Sequence, residues 1–292
     1  MQVFQYLAPT SLAAARELLK DAISVPTRIL AGGTDLLVQM RAGLHSPARL
    51  LDIKKIPETN VLSIEAGYAR IGAAVCAARI SEHDELRRLC PGVAEAIALI
   101  GSVQVQGRAT VVGNLCNASP AADSVPALMA AGASIRVIGP DKERWLPVAG
   151  FAVSPGHTLL APDELIVELR LPLPDAHTAE AYQRFTPRAE MDIAVVGVGA
   201  RLTLDRDGCC RAAEIAIGAV APTALPAPEV AAAILGAPID ETALTRAAAA
   251  AMSVGNPISD KRGTSAFRRH IAGVLTRRVL RTAAERVRQR SL

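Results

Sequence analysis

The sequence predicts an α+β fold of two lobes followed by an antiparallel sheet with helices. In residues 1–55, apolar stretches alternate between strand and helix patterns, which indicates a small βαβ unit. Residues 56–174 mix short strands with helices and indicate a second α+β lobe. Residues 178–292 begin with three alternating strands and end in alanine-rich and arginine-rich helices, which indicates a separate C-terminal unit.

In the first lobe, a helix is predicted over residues 11–19, with Thr10 or Ser11 as its cap. Residues 28–31 and 49–53 have the apolar content of buried strands, and residues 36–41 that of a helix. The glycine-rich turn before this last helix therefore lies at the carboxyl end of a strand. Ligands usually bind at that side of an α/β layer.

The elements of the second lobe and of the C-terminal unit are likewise predicted from hydrophobic periodicity. In the second lobe, the predicted elements are a hairpin of residues 61–65 and 69–73, helices 80–89, 92–100 and 125–131, and strands 134–138, 143–148 and 164–171. The last of these strands is expected to close the sheet. A proline-rich linker separates this lobe from strands 182–185, 193–204 and 210–220, and from helices 228–235, 241–252 and 266–290. The turn Asp205-Arg-Asp-Gly208 predicts a hairpin between the last two strands.

Composition and charge disfavour several classes of function. The chain has 32 basic and 28 acidic residues, a net charge of +4, and only 3% aromatic residues. Nucleic-acid binding is not expected, because bases usually need stacking platforms or a concentrated basic face. We find neither a signal peptide nor an apolar run long enough to span a membrane, so we expect a soluble, cytoplasmic chain without membrane contact.

Side-chain catalysis and metal binding are not expected either. The five cysteines contain no Cys-x-x-Cys pair, and the five histidines show no metal-ligand spacing. No Ser/His/Asp set and no pair of acid–base carboxylates stands out. We therefore expect no catalytic side chain, and a cofactor would have to carry any reaction.

Two glycine turns are candidates for holding such a cofactor. In Ala31-Gly32-Gly33-Thr34-Asp35, the glycines allow positive φ and close approach of a phosphate to main-chain N–H groups. The second turn, residues 110–123, brings together Thr110, Gly113 and Asn114, and Asp123 follows as a polar ligand. Asp123 or Ser124 caps the next helix. The two turns are far apart in sequence, and we expect them to hold one pyrophosphate from opposite sides.

The ordered set of motifs resembles the FAD-binding medium subunit of molybdenum hydroxylases, a family that includes carbon monoxide dehydrogenase and the flavin domain of xanthine dehydrogenase. The resemblance covers nearly the whole chain. It is carried by Ala31-Gly-Gly-Thr-Asp-Leu36, Gln104-Val-Gln-Gly-Arg-Ala-Thr-Val-Val-Gly-Asn114, Ala118-Ser-Pro-Ala-Ala-Asp123, Arg188-Ala-Glu-Met-Asp192, Pro257-Ile-Ser-Asp260-Lys-Arg-Gly263 and Phe267-Arg-Arg-His270.

This resemblance implies a two-lobed FAD-binding domain of the PCMH/vanillyl-alcohol-oxidase-like type and a noncovalently bound FAD. It implies a molybdopterin-binding large subunit, and a small iron–sulfur subunit with two-iron clusters, assembled with this chain as a dimer of heterotrimers. Electrons would pass from the clusters through FAD to an external acceptor such as NAD, oxygen, a quinone or a cytochrome. The substrate would be oxidised on the large subunit.

The resemblance also implies which residues contact FAD. The first turn would wrap the pyrophosphate, the second would close the opposite side, and Asp123 would bind FAD hydroxyls. Three apolar side chains would lie near the ring systems, and Arg184 would take the place of a lysine of many relatives. The full set is Ile29, Leu30, Ala31, Gly32, Gly33, Thr34, Asp35, Leu36, Thr110, Gly113, Asn114, Asp123, Leu159, Leu160, Arg184 and Ile193.

Three positions depart from the family pattern. Val112 replaces a glycine, so either φ is never positive there or the loop binds FAD less closely. Position 34 is threonine rather than histidine, and we see no residue for covalent flavin attachment. Arg184 stands where many relatives have lysine, which keeps the charge but changes the geometry.

Two other functions are compatible with the sequence. The first is a stand-alone flavin oxidoreductase of the same fold, which would need an acid–base residue that is not apparent. The second is a non-catalytic assembly or binding protein with a decayed FAD loop, for which Val112 is the best indication.

Overall fold

The computed structural model describes residues 3–189 and 192–290. Its first sheet is small, parallel and ordered β1-β3-β2. The elements are β1 (Gln5–Leu7), α1 (Leu12–Leu19), β2 (Thr27–Leu30), α2 (Leu36–Arg41) and β3 (Arg49–Asp52). The predicted βαβ unit is thus present, and β1 is an additional strand that the sequence pattern did not indicate. Because β2 and β3 run parallel, the turn after β2 and the residues after β3 meet at the same edge.

The second sheet is antiparallel and ordered β4-β5-β10-β6-β7. A short 3-10 helix, Pro57–Asn60, precedes it. The elements are β4 (Leu62–Glu65), β5 (Tyr68–Gly72), α3 (Ala77–Ser81), α4 (Asp84–Leu89), α5 (Pro91–Ile97), α6 (Val103–Gln106), α7 (Val111–Cys116), α8 (Ser124–Ala130), β6 (Ser134–Ile138), β7 (Glu143–Pro147), β8 (Ala152–Ser154), β9 (His157–Thr158) and β10 (Leu165–Pro172).

Two features of this lobe differ from the sequence prediction. The single helix expected over residues 80–89 is two helices, because His83 starts a new one and its Nδ1 accepts a hydrogen bond from the Leu86 amide. The last strand, β10, lies in the centre of the sheet, where it pairs with both β5 and β6. The side chains of residues 165–169 are buried, as expected for a strand with neighbours on both sides.

The C-terminal unit is a four-stranded antiparallel sheet with helices. Its elements are β11 (Thr178–Phe185), β12 (Val196–Leu204), β13 (Cys210–Gly218), β14 (Leu225–Pro226), α9 (Pro228–Ala232), α10 (Glu241–Ala251) and α11 (Ser265–Arg290). The strands pair in sequence order, and the predicted hairpin joins β12 to β13. Helix α11 packs against β11 and β12.

Two main hydrophobic cores fill the molecule. One contains buried residues of both N-terminal lobes, from Ala15 to Leu171, together with Tyr182 and Ala216 of the C-terminal unit, so the two N-terminal lobes share one interior. The other extends from Ala179 to Val287 and belongs to the C-terminal sheet and helices. The predicted domain boundaries near residues 55 and 174–178 stay predictions.

Among residues 3–189 and 192–290, no helix combines the length and the apolar character that crossing a bilayer requires. The location of the chain in the cytoplasm stays a prediction.

Candidate functional site

A cavity of about 850 Å³ is lined by both N-terminal lobes. The first lobe contributes the turn between β2 and α2, and the second contributes α7, the end of the β8–β9 hairpin and the start of β10. This volume lies within the range of roughly 300–1,000 Å³ that is usual for ligand and cofactor pockets. The cavity is therefore large enough to hold an extended cofactor.

The first turn reaches the second lobe through a glycine without room for a side chain. A Cβ on Gly32 would lie 2.1 Å from the carbonyl oxygen of Arg108, which is a backbone atom. Gly33 has a φ of +80°, a conformation that non-glycine residues adopt at a cost. Both glycines are thus required by geometry, and Gly32 permits direct contact between the two turns.

The same turn offers main-chain donors. The amide groups of residues 32–36 donate no hydrogen bond to any described protein group, although these residues line the cavity. Asp35 occupies the cap position of α2, but its side chain makes no capping hydrogen bond. Burial raises the pKa of the Asp35 carboxyl. Unpaired amides beside a cavity are suited to binding phosphate oxygens.

The second turn is the beginning of α7. The Thr110 hydroxyl accepts a hydrogen bond of 2.9 Å from the Gly113 amide and caps the helix. Val112 lies inside α7 and is not among the described residues with positive φ. Of the two explanations for valine at this position, the structure supports the first: the local backbone never needs the glycine conformation.

Two amide side chains, one on α7 and one at its C-terminal end, accept hydrogen bonds from other elements. The hydroxyl of fully buried Ser124 donates a hydrogen bond of 2.7 Å to Oδ1 of Asn114. This leaves the Asn114 amide nitrogen as a donor for the cavity, which Asn114 lines. Gln39 Nε2 donates to Asn117 Oδ1 at 2.9 Å and connects α2 to the second lobe. Sequence reasoning treated Ser124 only as a helix cap and did not identify Gln39.

Ser124→Ala is expected to weaken FAD binding about fivefold without unfolding the protein. The substitution removes one hydrogen bond and frees the Asn114 amide to rotate, a loss of about 1 kcal/mol. Flavin fluorescence titration measures the dissociation constant. Ser119→Ala is a suitable control because its hydroxyl accepts only a local bond from the Ala121 amide. Equal affinities of Ser124→Ala and wild type would exclude this orienting role.

Most of the predicted site residues line the cavity together. These are Ile29, Ala31, Gly32, Gly33, Thr34, Asp35, Leu36, Thr110, Gly113, Asn114 and Leu160. Leu30 is buried behind them with Met40 and Leu50. Leu159 and Ile193 are about half exposed, outside the cavity wall. In the motif of residues 188–192, Glu190 and Met191 lie outside the described residues.

Asp123 and Arg184 also lie outside the cavity wall, and they bind each other. Arg184 Nη1 lies 2.5 Å from Asp123 Oδ2, and the Tyr182 hydroxyl donates to Oδ1 at 3.1 Å. Burial raises the pKa of Asp123 to about 6, although the charge of Arg184 and the hydrogen bonds from Tyr182 and Arg184 act in the opposite direction. Contact of FAD with these two residues, and with all the other predicted site residues, stays a prediction.

The chemistry of the residues that line the cavity is suited to binding FAD. A row of unpaired amides suits a diphosphate, the Asn114 amide adds a directed donor, and Ile29, Ile100 and Leu160 provide apolar wall for an aromatic ring. Comparison with known families identifies the family to which the chain belongs. Residues 2–174 match the FAD binding domain in molybdopterin dehydrogenase, and residues 180–283 match the CO dehydrogenase flavoprotein C-terminal domain.

The chain belongs to the FAD-binding subunits of the molybdopterin dehydrogenases. This confirms the resemblance, the oxidoreductase class and the FAD cofactor that the sequence predicts.

The sequences of curated relatives align with this FAD-binding subunit over nearly their whole length. The carbon monoxide dehydrogenase medium chain of Afipia carboxidovorans is 32% identical over 286 residues, which cover 98% of each chain. The xanthine dehydrogenase FAD-binding subunit of Escherichia coli O157:H7 is 29% identical over 280 residues and 95% of each chain. Both relatives are named as a chain or subunit of a dehydrogenase.

Solved structures confirm the predicted fold class. Carbon monoxide dehydrogenase from Hydrogenophaga pseudoflava, in a form that lacks the Mo-pyranopterin moiety, superposes with a TM-score of 0.92 at 33% identity, covering 98% of each chain. Quinoline 2-oxidoreductase from Pseudomonas putida 86 gives a TM-score of 0.89 at 29% identity, with 97% of this flavoprotein and 98% of that chain covered.

Proposed function

We propose that this chain holds FAD noncovalently and passes electrons between the redox centres of partner subunits and an external acceptor. The single observation that carries the FAD-binding part of this proposal is the row of unpaired amides, residues 32–36, facing a cavity shared by two lobes. Bound FAD supplies both one-electron and two-electron chemistry, which protein side chains do not provide.

The chain's own residues bind and position the cofactor. Gly32 brings the first turn against Arg108, so that donors from both lobes converge on one region. The Thr110 cap fixes the start of α7, and Ser124 orients the Asn114 amide. Apolar residues of the wall exclude water from part of the cavity. These are binding and orienting roles, and none of them requires a catalytic acid or base.

The partners we propose are a molybdopterin-binding large subunit and an iron–sulfur small subunit, assembled as a dimer of heterotrimers. Support comes from the curated relatives, whose names describe medium chains and FAD-binding subunits. The acceptor we propose belongs to the class of NAD, oxygen, quinones and cytochromes. The helical conformation of Val112 weakens the alternative of a decayed FAD loop, because that residue was its main sequence indication.

Co-expression with the two partner subunits tests the electron-transfer part. With a purine, N-heteroaromatic, aldehyde or carbon monoxide substrate under anaerobic conditions, the complex should bleach its flavin absorbance, whereas the FAD-loaded chain alone should not. Bleaching by the isolated chain would instead favour the stand-alone flavin oxidoreductase. If the substrate reduces the other redox centres of the complex while the flavin stays oxidised in the absence of acceptor, the proposed electron path is wrong.

A further inference from the structure

We propose that Lys54 is a positioning residue for the FAD diphosphate, acting through the Ala31 peptide and held by Asp52 and Tyr6. This inference rests on the proposed FAD binding and adds residues that the sequence motifs do not include. Lys54 Nζ donates a hydrogen bond of 3.1 Å to the carbonyl oxygen of Ala31, the first residue of the glycine turn. Lys54 is not part of the cavity wall, whereas Ala31 and Gly32 are.

Because the peptide unit is planar, the bond from Lys54 to the Ala31 carbonyl also fixes the direction of the Gly32 N–H. In a trans peptide, the C=O of one residue and the N–H of the next point in opposite directions. The described residues contain no cis peptide. Because Lys54 holds the Ala31 carbonyl, the Gly32 N–H is directed away from Lys54, and it has no protein acceptor among the described residues. A phosphate oxygen in the cavity is the acceptor that this arrangement suits.

Lys54 is itself held by a buried carboxylate. Its Nζ lies 2.8 Å from Oδ1 of Asp52, whose side chain is 6% exposed, and the Lys54 amide donates to the same oxygen at 3.0 Å. The Tyr6 hydroxyl donates to the other oxygen, Oδ2. Asp52 is the last residue of β3 and pairs in register with Leu30 at the end of β2, so the network lies directly beside the turn.

The neighbouring charges indicate that Lys54 orients the turn rather than attracting the diphosphate directly. Asp52 neutralises the Lys54 ammonium at close range, which leaves little net charge to act on an anionic ligand. Burial raises the pKa of Asp52, but hydrogen bonds from Lys54 and Tyr6 outweigh it and hold the net pKa below the usual value. The carboxylate is thus ionised at neutral pH and can hold the Lys54 ammonium in place.

Four variants test the inference. Lys54→Met should weaken FAD binding about tenfold, the size of one charge-assisted hydrogen bond, and should shift the ³¹P resonances of bound FAD. Lys54→Arg, which keeps a donor, should restore most of the affinity. Lys55→Met is the matched control, because Lys55 is the adjacent lysine and is exposed. Tyr6→Phe removes only the hydroxyl that holds Asp52 and should weaken binding about threefold.

The outcomes separate this inference from the proposed function. If wild type binds FAD and Lys54→Met binds it equally well with unchanged ³¹P shifts, the inference is wrong and FAD binding stands. If the wild-type chain binds no FAD, the proposed function fails and this inference fails with it. If Lys54→Met does not fold, Tyr6→Phe decides: weaker FAD binding supports the network, and wild-type affinity overturns it.

Discussion

Gly32→Ala is expected to lower FAD affinity about 100-fold. The added Cβ would lie 2.1 Å from the Arg108 carbonyl oxygen, 2.8 Å from its carbon and 3.1 Å from the Ala109 Cα. All three are backbone atoms, so no side chain can rotate aside and the two turns must separate. Overpacking of this kind costs roughly 1–3 kcal/mol, and the upper end corresponds to about 100-fold in binding.

Isothermal titration of the apo protein with FAD measures this effect. Gly107→Ala is the matched control, since a Cβ there meets only the Gln104 carbonyl oxygen at 3.7 Å, an ordinary contact, and the residue is exposed. The control should bind FAD like wild type. Normal FAD binding by Gly32→Ala would show that contact between the turns is not needed for the site.

Arg184→Met is expected to lower the free energy of unfolding by about 3 kcal/mol at pH 8. Removing one partner of a buried ion pair leaves the other charge without compensation. The Arg184 and Asp123 side chains are 8% and 12% exposed, so solvent screens the remaining carboxylate poorly. The pair also connects the start of α8 to β11, and the loss therefore weakens contact between the FAD-binding lobes and the C-terminal unit.

The pH dependence of this loss follows from Asp123. Burial raises its folded pKa to about 6 from an ordinary value of 3.8, so the folded state binds the proton more tightly than the unfolded state does. This group therefore stabilises the fold most below pH 4, and its contribution falls as the pH rises through 6. Without Arg184 the pKa of Asp123 rises further, because an attracting positive charge is lost.

Urea unfolding at pH 5 and pH 8 checks both statements. The cost of Arg184→Met should be small at pH 5, where Asp123 is largely protonated in the folded state, and large at pH 8. Arg87→Met is the control, because both side chains of its pair with Asp84 are exposed and solvent screens the pair. Equal costs at the two pH values would show that Asp123 is not the group left uncompensated.

Local sequence was sufficient to predict the parts of the site that depend on short-range geometry. The glycine turn of residues 31–35 follows a strand, and the position of a turn at a strand end is a property of neighbouring residues. The antiparallel C-terminal strands and their hairpin could be predicted for the same reason, because period-two alternation and the Asp205–Gly208 turn are local.

The contacts that orient the site could not be predicted in this way. Lys54 and Ala31 are 23 residues apart in sequence, and Gln39 and Asn117 are 78 residues apart. Periodicity shows which face of an element is buried, but it does not show which polar groups of separate elements meet. Asp123 illustrates the same limit: its partner Arg184 is 61 residues away, and the sequence assigned both residues to FAD rather than to each other.

The visible absorbance spectrum of the purified chain, before and after acid precipitation, tests the central claim most directly. We expect flavin bands in the protein, or their appearance after incubation with FAD, and we expect the flavin to move to the supernatant when the protein precipitates. A chain that is colourless and remains colourless with added FAD would contradict FAD binding. Flavin that stays in the precipitate would contradict noncovalent attachment.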